Sequence, residues 1–78
     1  SQAIFCVTSK GVELALKINE KFESDIFVLE KFVVHKTISF NSLKEIVREN
    51  FLEYRYLVFI MATGIVTRVI AEYIRLRT

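Results

Sequence analysis

The chain has no proline, no tryptophan, two glycines, one cysteine and one histidine among its 78 residues. A lone cysteine, Cys6, leaves no internal disulfide to form. Its place inside an apolar run makes it a small hydrophobe, not a nucleophile. A lone histidine, His35, with no second histidine or cysteine at ligand spacing, rules against a metal centre held by this chain. It reads as a surface residue of a loop. The two glycines, Gly11 and Gly64, lie far apart, so neither belongs to G-x-G-x-x-G or to a Gly-rich loop ending in a Walker lysine. Nicotinamide and nucleotide cofactors are therefore not expected. A surplus of one charge sign is also missing, with 11 basic against 9 acidic residues and a net charge of +2. Most basic residues stand three or four positions from acidic ones, as Lys17 does from Glu13 and Glu20, which makes solvated helix pairs. Arg68, Arg75 and Arg77 cluster as the C-terminal end of a helix favours. No basic stripe with interleaved aromatics points to nucleic acid. No apolar run reaches the roughly 18 residues that span a bilayer. No signal peptide opens the chain either, so the expectation is a cytoplasmic protein that does not bind membranes.

What is present is a core. Hydrophobic residues make up 53% of the chain, with seven Phe and three Tyr, the composition of a packed globule. Its length allows one domain, spanning residues 1–78, that buries only about 60% of its unfolded surface. The high mean hydropathy leads us to expect apolar surface that is covered by a second copy or by further chain.

The order reads as three repetitions of strand then helix. Ala3 to Val7 is an apolar run closed by Thr8-Ser9-Lys10-Gly11, and helical spacing follows from Val12, with Leu14, Ala15, Leu16, Ile18 and Phe22 on a broad buried face. Ser24-Asp25 breaks that pattern before a second strand, Ile26 to Leu29. A second helix runs from about Leu43 to Leu52 and buries Leu43, Ile46, Val47 and Phe51. Ser42 with Glu45 three residues later fits a capping box at its start. Leu57 to Met61 is the third strand. It ends in Ala62-Thr63-Gly64, after which Ile65, Val66, Val69, Ile70, Tyr73 and Ile74 share a helix face. Between the second strand and second helix, residues 30–41 are long for a βα loop and rich in β-formers. A continued strand, a hairpin and an ordered loop all fit them.

Strands alternating with helices imply an α/β fold, a βαβαβα parallel sheet of flavodoxin-like or Rossmann-like type. The expected strand order is second, first, third. The most apolar strand, the third, then lies on an open edge, and such an edge is a template for pairing. A homodimer or segment swap through this strand is expected. In a monomer, the Val33–Phe40 segment would have to cover that edge.

Ligands of such sheets sit beyond the C-terminal strand ends. Thr8-Ser9-Lys10-Gly11 and Ala62-Thr63-Gly64 each combine hydroxyls, a glycine and a helix N-terminus, which suits a carboxylate or phosphate. Lys10 adds charge at the first, and Arg68 lies about one turn beyond Gly64. The competing reading is that Ser9 and Thr63 only cap their helices and the glycines only permit tight turns. Glu30, near the end of the second strand, is either a general base or a solvent-facing strand end. Phe32 and Phe40, flanking the long loop, are the aromatics placed to reach a ligand, whereas packing accounts for the rest. A response-regulator-like phosphate site would need acidic residues at the first strand end, where Thr8, Ser9 and Lys10 stand.

The segment LVFIMATGIVTRVIAEYIR resembles the N-terminal region of the cobalt-precorrin-5A hydrolases of anaerobic cobalamin biosynthesis. Members of that family carry a hydrophobic strand, then A-T-G-I-V-x-R and an amphipathic helix. The opening AIFCVTSKGVELALKI is similar to the same family's first strand and helix, so the resemblance runs from Ala3 to about Arg75. It implies a hydrolase that opens the δ-lactone of a cobalt-bound tetrapyrrole and releases acetaldehyde, with cobalt arriving inside the substrate and not as a cofactor. The macrocycle is rimmed by carboxylates. Ser9, Lys10, Gly11, Thr63, Gly64, Ile65 and Arg68 are then the expected substrate-binding residues, and the backbone amides of Gly64 and Ile65 the expected oxyanion or carboxylate donors. Family members continue with an Asp-Pro segment, a further strand and a Ser-Gly-His stretch. The resemblance therefore implies part of an N-terminal domain, with no catalytic base identified and no turnover expected of this chain alone. The alternative is a non-catalytic module that self-associates through its edge strand.

Overall fold

The computed structural model describes residues 1–77 without the side chain of Arg77, so the reading of Arg77 as part of a basic cluster lies outside the described residues. The elements run β1 (Gln2–Cys6), α1 (Ser9–Lys21), β2 (Asp25–Leu29), a 3-10 turn (Glu30–Phe32), β3 (Ile38–Phe40), α2 (Leu43–Asn50), β4 (Tyr56–Ile60) and α3 (Thr63–Arg77). The sheet is fully parallel, in the order β3-β2-β1-β4. The three strands expected from the sequence stand in the expected relation, as β2-β1-β4. The correction is β3, a fourth strand inside residues 30–41, which pairs Phe27 with Ile38 and Leu29 with Phe40. It is short, and Ile38 is largely exposed, so it offers no run of alternating residues for a sequence to reveal. A turn leads into it. Thr37 Oγ1 donates to the Val34 carbonyl and accepts from the Val34 N–H, at 2.6 and 3.2 Å. Within that turn Lys36 takes a φ of 66° without being glycine.

The alternation of each central strand divides the core into two layers. Ile4, Cys6, Ile26 and Val28 face α1, where Val12 and Ala15 meet them. Ala3, Phe5, Phe27 and Phe40 face α2 and α3, with Val47 filling the middle. Across that second face the rings of Phe27, Phe5 and Phe59 stack from strand to strand, with centroids 5.0 and 5.1 Å apart. Such aromatic pairs add about 0.5–1.5 kcal/mol each beyond their buried area. Phe51 stacks on Tyr73 at 4.2 Å and ties α2 to α3.

Three expectations about burial change. The buried stripe of α1 is narrow, being Gly11, Val12 and Ala15 with Ile18 alongside. Leu14 and Leu16 are exposed, because a single helix spread over two strands presents only one thin face to them, and Phe22, the extended residue that ends α1, is 66% exposed. Phe40 is buried in the core and also borders a hollow beside β3. Phe32 packs against the α1 layer, with the Lys31 ammonium 5.6 Å above its ring. The connection from β2 to β3 thus passes the α1 face, as a right-handed crossover in that direction requires.

β4 pairs only with β1, and its residues are less buried than those of the fully enclosed β1. The open edge expected from the sequence is there. Residues 38–40 lie at the opposite edge, on β2, so the Val33–Phe40 segment does not cover β4.

Candidate functional site at the open strand ends

β1 and β4 are neighbours, with Cys6 level with Ile60, so the turns that follow them stand side by side. The two glycine-bearing turns are thereby brought together. A Cβ on Gly11 would lie 3.4 Å from the Ile60 side chain and from its carbonyl oxygen. Gly11 lets the start of α1 rest on the end of β4.

The two helix starts differ in what they leave open. At α1 the cap is Thr8, not Ser9: Thr8 Oγ1 accepts from the Gly11 N–H at 3.0 Å and its carbonyl accepts from Val12 N–H at 3.1 Å. Ser9 and Lys10 are the first residues of the helix and are exposed. This end supplies its own acceptor. At α3, Thr63 is inside the helix and Ala62 precedes it. Alanine has no side-chain oxygen, so no side chain at that position can cap the helix. The Ile65 N–H already donates to the Ala62 carbonyl, at 3.0 Å. The N–H groups of Thr63 and Gly64, first and second in the helix, have no carbonyl four residues back within it. They are the donors this end holds out, at the positive pole of the helix dipole.

Gly64 differs from Gly11 in kind. Its φ is not positive, and a Cβ built there meets nothing within 4 Å. Glycine within a helix costs about 0.8–1.0 kcal/mol relative to alanine, and neither a turn nor a close neighbour in this fold requires it. What its missing side chain does provide is space in front of the free amides, because Cβ bonds tilt toward the N-terminus of a helix.

Arg68 does not stand with Lys10. It lines a cleft between α2 and α3 with Lys44, Val69 and Glu72, in the layer opposite α1. Lys44 was not singled out by the sequence. Glu30 is exposed in the 3-10 turn and lines a separate hollow of about 270 Å³ with Ser39, Asn41, Ser42 and Glu45. That hollow lies at the β2–β3 end, two to three strand spacings, or roughly 10–14 Å, from the end of β4. It follows from β3, and the capping box at Ser42 was the one local signal of it; Ser42 Oγ accepts from Glu45 N–H at 3.2 Å.

Cys6 is fully buried and its Sγ contacts the Gly11 carbonyl at 3.5 Å. Burial pushes its thiol up to about 11, which leaves little thiolate at neutral pH. His35 lies exposed in the turn before β3. Among the described residues no group of three His, Cys, Asp or Glu is placed to hold a metal ion. No described helix is long and apolar enough to cross a membrane.

Fold and site together define a small parallel α/β domain with an uncapped, glycine-bearing helix start at its open strand ends, the place where doubly wound sheets bind ligands. Residues 45–78 match the model of the family described as cobalamin synthesis G N-terminal. The matched stretch holds most of α2, all of β4 and α3, and the Ala62–Arg68 turn, so the family resemblance is borne out over that part of the chain, and a role in cobalamin synthesis is what the match supports. No curated protein and no solved structure matches the chain.

Proposed function

We propose that this chain is the carboxylate-binding part of the N-terminal domain of a cytoplasmic hydrolase that opens the δ-lactone of cobalt-precorrin-5A. In that reaction water adds to the lactone carbonyl and the acyl C–O bond breaks to leave a carboxylate and an alcohol. The alcohol then loses its O–H proton, the C–C bond that joins it to the macrocycle breaks with its electron pair passing to the ring, which takes up a proton, and the two-carbon unit leaves as acetaldehyde. The observation that carries the reading is Gly64, a helix glycine with no role in the fold, placed before free amides in the matched segment. Thr63 and Gly64 present backbone N–H groups to a substrate carboxylate or a developing oxyanion. Ile65 fixes the turn through its bond to Ala62, and Ser9 and Lys10 flank the same end from the neighbouring strand. Gly11 seats α1 against Ile60. Cobalt enters within the substrate.

Titration with uroporphyrin, an eight-carboxylate tetrapyrrole, tests this. Saturable, salt-sensitive binding that weakens in Gly64→Val is expected. Absence of binding would leave the second reading, a module that associates through its edge, which the open outer edge and lower burial of β4 favour.

A further inference from the structure

The cleft between α2 and α3 has a volume of about 340 Å³ and is lined by Lys44, Arg68, Val69 and Glu72. Lys44 is the second residue of α2 and Arg68 the sixth of α3, so cations from two helices face one space. Glu72 accepts from Lys44 Nζ at 3.2 Å and also from Arg75 Nη2. Those two bonds hold the Glu72 carboxyl below its ordinary range. One carboxylate is thus shared by two cations, while Arg68 has no ion-pair partner among the described residues. Among the residues lining the cleft, two cations stand against one anion, a surplus of one positive charge. Val69 packs against the core and forms an apolar floor.

We propose that this cleft is an anion subsite in which Lys44 and Arg68 hold a carboxylate arm of the tetrapyrrole, a proposal that rests on the carboxylate-binding reading above. Arg68 lies four residues along α3 from Gly64, about 6 Å at the helical rise. A flexible acetate or propionate arm spans that distance while the macrocycle stays at the strand ends. The shared Glu72 marks where the incoming carboxylate competes. It holds Lys44 in place when the cleft is empty and yields part of that contact when an arm enters.

The test is titration of the chain with uroporphyrin and, separately, with citrate, using Lys44→Gln, Arg68→Gln, Glu72→Gln and Gly64→Val. Lys44 and Arg68 are exposed, and a thermal melt of each variant checks that the fold is kept. Lys44→Gln and Arg68→Gln are expected to weaken uroporphyrin binding about fivefold each, the scale of an exposed charge pair. Glu72→Gln is expected to tighten it by a similar factor. If Gly64→Val weakens binding but the cleft variants do not, the subsite is wrong and the strand-end reading stands. If citrate binds in a Lys44- and Arg68-dependent way and uroporphyrin does not bind, the cleft is an anion site and the tetrapyrrole reading falls. Binding of neither probe overturns both.

Discussion

Gly11 and Gly64 occupy similar positions after β1 and β4, yet the space around them assigns them opposite tasks. A methyl at Gly11 would press on Thr8 Oγ1 at 3.1 Å, the atom that caps α1. Gly11→Ala therefore sets the loss of a cap, about 1 kcal/mol, against a similar propensity gain. Its urea midpoint is expected not to rise. Gly64→Ala meets no neighbour and is expected to stabilise by about 0.4–1 kcal/mol. Cys6 gives a second prediction at this scale. With its thiol raised to about 11 and fully buried, it is expected to resist alkylation until the chain unfolds, so labelling should track the unfolding curve. Tyr54 gives a third. Its hydroxyl donates to Asp25 Oδ2 at 2.6 Å, and that bond raises the phenol from 10.0 to about 12. The neutral phenol is the form the fold favours. Its stabilisation is present below pH 10 and lost as pH rises through about 12. The stability difference between the unaltered chain and Tyr54→Phe should shrink over that window.

At the scale of elements, the helix starts separate stability from binding. Thr8→Ala removes the cap of α1 and is expected to cost about 1 kcal/mol in a urea melt while leaving uroporphyrin affinity unchanged, because α3 holds the open amides. Most elements were legible because their patterns were long: the apolar run of β4 and the spacing of α3 from Ile65 to Tyr73 leave little choice of structure. β3 was not, since three residues with one buried side chain carry no period and tertiary pairing with β2 decides them. The breadth of α1's buried face was also hidden. Leu14 and Leu16 look like core in sequence and are surface in the fold, because one helix alone covers that side of the sheet. The strand-end turns were legible as glycines before helices. Which glycine the fold itself requires depended on the contact between Gly11 and Ile60, across a strand pairing no local pattern contains. Arg68 was legible as a residue of the A-T-G-I-V-x-R turn, but its neighbour Lys44 comes from another helix.

For the whole molecule, the open edge of β4 is the feature on which a prediction of assembly rests. α3 packs in the same layer as α2, and α2 carries the chain from β3 across to β4. A right-handed crossover from α3 would set a following parallel strand on the outer side of β4. A second copy pairing there would compete for the same backbone groups. Sedimentation over a concentration series should show reversible dimerisation through β4. Leu57→Lys places a charge in the second core layer, whereas a lysine in place of the exposed Tyr56 leaves the core intact and should shift the equilibrium toward monomer.

The central claim is that Gly64 is kept bare for a ligand and not for the fold. Calorimetric titration of uroporphyrin into Gly64→Ala beside the unaltered chain, with a melt of each, tests it most directly. A variant that melts higher and binds more weakly is the predicted result. A variant that melts higher and binds equally well would contradict it.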